Sequence, residues 1–208
     1  MTYSWRTAFT DKLFRRKFLI SIILLALVLT GFYFVLGYAE KRQGLIIEKG
    51  WLNEILMPRD FSFWIFSFTY SATILGLLFC FRNPLTTLLL IRTYLLIQLL
   101  RAIVLLIFPL NPPEGIIPLD DPFLHSTFYA GRPNLKDLFF SGHVATLVMF
   151  ILIVHSKWLR PILIFATCAA GILLILQRVH YISDVVAAPF FAFVAYYFVK
   201  KLMRKVQV

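Results

Sequence analysis

Six apolar runs constrain this chain more than any other feature. They cover roughly 18–38, 61–81, 85–108, 138–156, 161–178 and 184–200. A helix needs about 20 mostly apolar residues to cross the hydrocarbon core of a bilayer. The runs predict an all-α integral membrane protein with six transmembrane helices, filling one membrane domain over 1–208. Charged residues make up 15% of the chain and the mean hydropathy is +0.82. Soluble domains carry about 25% charged residues, so a water-soluble globule and a disordered chain are both excluded. The first run is not a cleavable signal peptide. It is long, and Gly31-Phe32-Tyr33-Phe34 offers no small-residue cleavage site. Cys80 and Cys168 both lie inside apolar runs, which leaves no disulfide framework and no cysteine-rich metal site.

The net charge is +11, from 21 Lys+Arg and 10 Asp+Glu. In a soluble protein this would indicate nucleic acid. Here the cations cluster at the ends of the spans, so topology and anionic lipid account for them and no nucleic-acid partner is expected. Alternate segments carry unequal shares. The N-terminus (Arg6, Lys12, Arg15, Arg16, Lys17), Arg82, Lys157 with Arg160, and the tail (Lys200, Lys201, Arg204, Lys205) outnumber Lys41, Arg42, Lys49, Arg59, Arg132, Lys136 and Arg178. The bias places both termini in the cytoplasm. All acidic residues but Asp11 then fall in outer loops or at outer span ends.

Two connections are tight, Arg82-Asn83-Pro84 and Lys157 to Pro161, and make helical hairpins. The two long segments both lie outside. Segment 39–60 has apolar residues enough for a short helix in the outer interface. Segment 109–137 holds Pro109, Pro112, Pro113, Pro118 and Pro122 and is expected to be irregular. A structureless loop of that length is usually functional.

Polar residues within spans are costly and tend to mark function. Arg101 sits about two turns below the outer end of span three, roughly 10 Å by helix rise. It reads as a buried cation facing a phosphate or as a snorkelling side chain. Arg92, deeper, reads as a helix-packing donor or as part of a site. At the outer start of span four stands Asp137-Leu138-Phe139-Phe140-Ser141-Gly142-His143, where helix-start N–H groups favour an anion. Between spans five and six stands Arg178-Val179-His180-Tyr181-Ile182-Ser183-Asp184. His180 and Asp184 share a helix face, so the carboxylate can fix the imidazole tautomer and support its positive charge. A helix-end ion pair is the other reading. Taken together, His143, His180, Asp184, Arg178, Arg132 and Lys136 can meet at one depth. Two histidines, a carboxylate and several cations suit phosphoryl transfer: cations hold the phosphoryl oxygens, one histidine attacks phosphorus and the other protonates the leaving oxygen.

These elements resemble those of the type 2 phosphatidic acid phosphatase superfamily, and more closely its sphingomyelin synthase-like branch. Arg101 through Asn111-Pro112-Pro113 is similar to that branch's arginine followed by a proline-rich exit. Asp137 to His143 is similar to its Asp-x₃-Ser-Gly-His. His180 to Val185 is similar to its His-Tyr-Thr-x-Asp-Val, with Ile182 in place of threonine. The resemblance covers roughly 85–200. It implies a six-helix membrane fold with the active site at the outer surface, His180 as nucleophile, Asp184 as its orienting partner and His143 as general acid. The expected substrate-binding set is Arg101, Arg132, Lys136, Asp137, Ser141, Gly142 and Arg178. The implied activity is that of a metal-independent lipid phosphate phosphatase or headgroup phosphotransferase. Its partners are membrane lipids, a phospholipid donor with ceramide or diacylglycerol as acceptor. The wider superfamily has an arginine where this chain has Leu174, and a lysine separated by six residues from Arg-Pro where this chain has His125 ahead of Arg132-Pro133. These departures point away from an ordinary lipid phosphate phosphatase.

His155 falls at the inner end of span four and reads as interfacial, and His125 as a solvated loop residue. Asp120-Asp121 reads as solvated or as a subsite for a cationic headgroup. No HExxH, zinc-type cysteine spacing, Walker loop or dinucleotide glycine pattern occurs, so no metal and no cofactor is expected. The competing class is a non-enzymatic lipid-binding scaffold or small transporter. A transporter would show inverted repeats and broken helices near the midplane, and neither is visible. The compact chain leads us to expect a multi-pass protein of a bacterial inner membrane with the site facing outward.

Overall fold

The computed structural model describes residues 4–46, 57–119 and 134–205. Among these residues seven helices follow one another: α1 (Trp5–Thr10), α2 (Lys12–Lys41), α3 (Ser62–Cys80), α4 (Pro84–Ile107), α5 (Gly142–Ile153), α6 (Leu159–Leu176) and α7 (Ile182–Lys205). Among the described residues there is no strand, only an isolated bridge between Leu45 and Leu110. Five helices, α2, α3, α4, α6 and α7, are long and apolar enough to cross a membrane.

Local sequence chemistry sets most of the boundaries. Asp11 starts α2 by accepting the Leu13 N–H at 2.8 Å, the usual service of an N-cap carboxylate. Asn83 caps α4 through Leu85 and Thr86, and Pro84 occupies the first turn, where its missing N–H costs nothing. Asp60 accepts from Ser62 at the head of α3, and these bonds hold its carboxyl below the usual range. Helix α2 runs well beyond the apolar stretch 18–38, because its basic first turns can stay helical outside hydrocarbon. Before it, α1 packs back on the bundle: the Trp5 indole donates to the Phe81 carbonyl at 2.7 Å, and Ala8, Phe14 and Leu88 are buried together.

The fourth apolar run departs from expectation. Helix occupies Gly142–Ile153, not 138–156, and at 12 residues it rises only about 18 Å. The residues before it are not helical, and Leu138, Phe140 and Ser141 are buried inside the protein. Non-helical backbone at membrane depth is tolerated where protein surrounds it. That condition holds here: α5 packs against α3, α4, α6 and α7. Phe140 stacks on Phe191 with centroids 4.2 Å apart. Buried Ala188, Ala192 and Ala195 keep one face of α7 small, the usual device for close helix approach in lipid. Helix α2 lies along α4 at the edge of the bundle. There Arg92 Nε donates to Ser21 Oγ at 2.9 Å, so Arg92 is a helix-packing donor.

The outer-interface helix expected in 39–60 falls mostly on 47–56, outside the described residues. Of the second long segment, 109–119 is irregular as its prolines require, and 120–133 lies outside the described residues.

Candidate active site

One end of the bundle gathers the chemistry-bearing segments. The end of α2, the start of α3, the end of α4, the start of α5 and the turn between α6 and α7 are joined there by hydrogen bonds. Asn111 N–H donates to Leu45 O at 2.9 Å and Leu45 N–H to Pro109 O at 2.9 Å. The Tyr181 hydroxyl donates to Asn111 O at 3.0 Å. Ile117 N–H donates to Gln177 O at 3.2 Å.

His180 and Asp184 are both buried, at 4% and 0% exposure. Their Nδ1 and Oδ2 stand 3.4 Å apart. This is long for a hydrogen bond, as catalytic contacts often are before substrate binds. A buried carboxylate is costly unless hydrogen bonds surround it. Tyr181 N–H donates to Oδ2 at 3.0 Å and the Ser183 hydroxyl reaches Oδ1 at 3.2 Å. With Nδ1 facing Asp184, Nε2 of His180 is the ring nitrogen left for chemistry.

The second histidine segment is tied to the first through its backbone. Ser141 N–H donates to the Asp184 carbonyl at 3.2 Å. Ser141 is fully buried, does not cap α5 with its side chain, and its Oγ has no hydrogen-bond partner among the described residues. His143 follows in the first turn of α5, with its ring 6.2 Å from that of Phe66.

Among the described residues, Arg101 is the most buried of the expected cations, at 6% exposure. Its Nη1 donates to Gln98 Oε1 at 2.9 Å, and its Nη2 to Asp137 Oδ1 and Oδ2 at 2.5 and 2.6 Å. Its Cζ lies 4.7 Å from the Phe32 ring centre, within cation–π range. Lys136 turns to α2: its N–H donates to Glu40 Oε1 at 2.6 Å and its ammonium to the Arg42 carbonyl. The Lys136 ammonium and both Nη atoms of Arg101, expected to face a phosphate, are held by protein groups, while Arg101 Nε has no hydrogen-bond partner among the described residues.

Arg178 sits at the end of α6 with a left-handed backbone, φ 59°. That conformation costs a non-glycine residue about 1–2 kcal/mol. It ends the helix, with Val179 N–H reaching back to Leu174 O at 3.0 Å. Arg178 Nη1 donates to the Glu114 carbonyl at 2.9 Å. The neighbouring Gly115, φ 72°, gives way to it: a Cβ there would lie 2.7 Å from Nη1. Arg132, His125, Asp120 and Asp121 lie outside the described residues. His155 is exposed just beyond the far end of α5.

Sequence reasoning missed Gln177. It is fully buried. Its Oε1 accepts from Phe61 N–H at 2.7 Å, and its Nε2 donates to Ser62 Oγ at 2.9 Å and Ile117 O at 3.2 Å. It joins the head of α3, the exit from α4 and the α6–α7 turn. The available signal was a lone amide at the end of an apolar run. Among the described residues no three His, Cys, Asp or Glu side chains form a group able to hold a metal.

Residues 136–202 match the family model described as PAP2 superfamily C-terminal. The match supports the type 2 phosphatidic acid phosphatase superfamily and, with it, a membrane lipid phosphatase or phosphotransferase. It spans both histidine segments. No curated protein and no solved structure matches the chain.

Proposed function

We propose that this protein transfers or removes a phosphate-bearing lipid headgroup, in the manner of the sphingomyelin synthase-like branch, at the outer leaflet of a bacterial inner membrane. In this reading α5 is the short member of six crossings and both termini are cytoplasmic. The observation that carries it is the hydrogen bond from Ser141 N–H to Asp184 O. It couples the Ser-Gly-His segment to the His180–Asp184 pair inside the stretch that matches the family.

His180 Nε2 attacks phosphorus while Asp184 holds Nδ1 and supports the positive charge that develops on the ring. The bond from phosphorus to the lipid oxygen breaks, and His143 supplies that oxygen with its proton. Water, or the hydroxyl of ceramide or diacylglycerol, then attacks phosphorus and gives its proton to His143, and the N–P bond breaks to return His180. The start of α5 supplies N–H donors and the unpartnered Ser141 Oγ for the phosphoryl oxygens. Arg178 supplies a cation beside the α6–α7 turn, and Arg132 is the further cation that the sequence offers. The alternating basic bias supports the outward-facing site.

The test is a lipid-product screen by mass spectrometry on purified protein, with donor phospholipids supplied with and without ceramide or diacylglycerol. His180→Ala should abolish turnover and any covalent phosphoryl-enzyme. His143→Ala should slow natural donors far more than an activated aryl phosphate ester, whose leaving group needs no proton. Equal turnover in wild type and both variants would mean that these histidines do not carry the reaction, and no lipid product from the wild type with any donor would leave a non-enzymatic lipid-binding protein.

A further inference from the structure

We propose that Arg101 and Asp137 form a clamp that positions His143, and that Arg101 holds the start of α5 instead of the substrate phosphate. The proposal deepens the phosphotransfer reading above and rests on it. Arg101 lies on α4, ahead of the stretch that matches the family, yet its guanidinium touches the motif backbone. A Cβ built at Gly142 would stand 2.5 Å from Nη1 and 2.7 Å from Nη2, well inside van der Waals contact. A side chain at position 142 would therefore push the Arg101 guanidinium away from its bonds to Gln98 and Asp137.

The segment is pinned from two directions. Arg101 bears on Gly142 and binds Asp137 through Nη2, while Ser141 N–H is tied to Asp184 O at 3.2 Å. One step before Asp137, Lys136 is tied to Glu40 and Arg42 at the end of α2. His143 is the next residue after this anchored stretch, so its approach to His180 is set by the anchors. Electrostatics point the same way. A buried guanidinium needs a counter-charge, and Asp137 provides one inside the protein. A phosphate reaching for Nη2 would have to displace a carboxylate that also repels it. Asp137, carrying the same sign as the substrate, is a poor phosphate ligand and a good anchor for Arg101.

The experiment uses the full chain in lipid nanodiscs. Phosphatidic acid is the turnover probe and inorganic phosphate the competing anion. Arg101→Lys keeps the charge and loses the planar fork; Asp137→Asn keeps the shape and loses the charge. Both should lower kcat by about tenfold or more, in line with the cost of misplacing a reacting group. KM and the inhibition constant for phosphate should change by no more than about threefold. Gly142→Ala should also lower kcat, and Arg101→Lys should partly rescue it, because the slimmer side chain frees the space a Cβ needs. A phosphate inhibition constant that rises about tenfold in Arg101→Lys and stays put in Asp137→Asn would overturn the clamp and make Arg101 a phosphate ligand. If Asp137→Asn does not fold, Arg101→Lys and the Gly142 rescue decide. If the wild type does not turn over, the function fails for this lipid and the clamp is judged by thermal unfolding. Non-additive losses for Arg101→Lys and Asp137→Asn support it, and additive losses overturn it.

Discussion

Gln177 offers the sharpest test of how the site end is assembled. In Gln177→Leu the volume is nearly kept, but the Phe61 N–H and the Ile117 carbonyl lose partners now at 2.7 and 3.2 Å. Ser62 Oγ also loses its 2.9 Å donor, and a hydroxyl can rotate toward another group. A buried group left unpaired costs about 1–3 kcal/mol. Phe61 and Ile117 are half-buried, so the lower part of that range applies to each, about 2–3 kcal/mol together. For a chain of this size 1 kcal/mol moves Tm by about 2–4 °C, so the midpoint in detergent micelles should fall by roughly 5–10 °C. Gln177→Glu should be worse. It retains an acceptor for Phe61 N–H but presents a carboxylate to the Ile117 carbonyl, in a fully buried position where an unpaired charge is expensive. Amide exchange at Phe61 should quicken in Gln177→Leu. A Tm shift below about 2 °C for both variants, or a milder effect for Glu than for Leu, would refute the account of Gln177 as the joint between α3, α4 and α6.

Orientation can be read with cysteines placed at Met57 and Trp158, which are 88% and 86% exposed, in a background lacking Cys80 and Cys168. Met57→Cys should react with an impermeant maleimide in intact cells and Trp158→Cys only after lysis; the reverse pattern would move the site to the cytoplasmic side. Turnover should survive a strong chelator, because arginine and backbone donors supply the positive charge a metal otherwise would; loss restored by one divalent ion would overturn that assignment. Arg178→Gly and Arg178→Ala both remove the contact with Glu114, but only glycine accepts φ 59° freely. The glycine variant should be the more stable by about 1 kcal/mol, and equal midpoints would mean that the left-handed turn carries no strain.

The long spans were legible because hydrophobic length and caps agree. Pro84–Ile107 lies within one residue of its apolar run, and Asn83-Pro84 marks its start. His180 and Asp184 do stand 3.4 Å apart, but not on the shared helix face that their spacing suggests: α7 starts at Ile182, and His180 lies in the bend before it. The short α5 was not legible. The apolar residues 138–140 read the same whether they face lipid in a helix or pack as buried non-helical chain, and only the surrounding helices decide. The partners of the cations were also hidden. Arg101 could be read as a cation near a phosphate, but Asp137 lies 36 residues away along the chain. Lys136 finds Arg42 across 94 residues. Sequence spacing carries helix-face information over one or two turns and none over such separations.

The matched stretch 136–202 contains His143, His180 and Asp184, yet it does not contain what holds them. Gly142 rests on Arg101 of α4, Lys136 is tied to the end of α2, Tyr181 donates to Asn111, and Gln177 closes on Phe61 and Ser62 at the head of α3. A chain cut to that stretch would expose Asp137 without its arginine and Gln177 without its donor. It would also uncover the faces of α5 that α3 and α4 now bury. The first half of the protein is therefore more than a membrane anchor for the matched second half. Its helices supply the counter-charges and amide partners that let polar motif residues sit below the surface of an apolar bundle. This division also fits the short α5: with neighbours on four helices, the motif backbone can leave helical geometry before Gly142 and still find its hydrogen bonds within the protein.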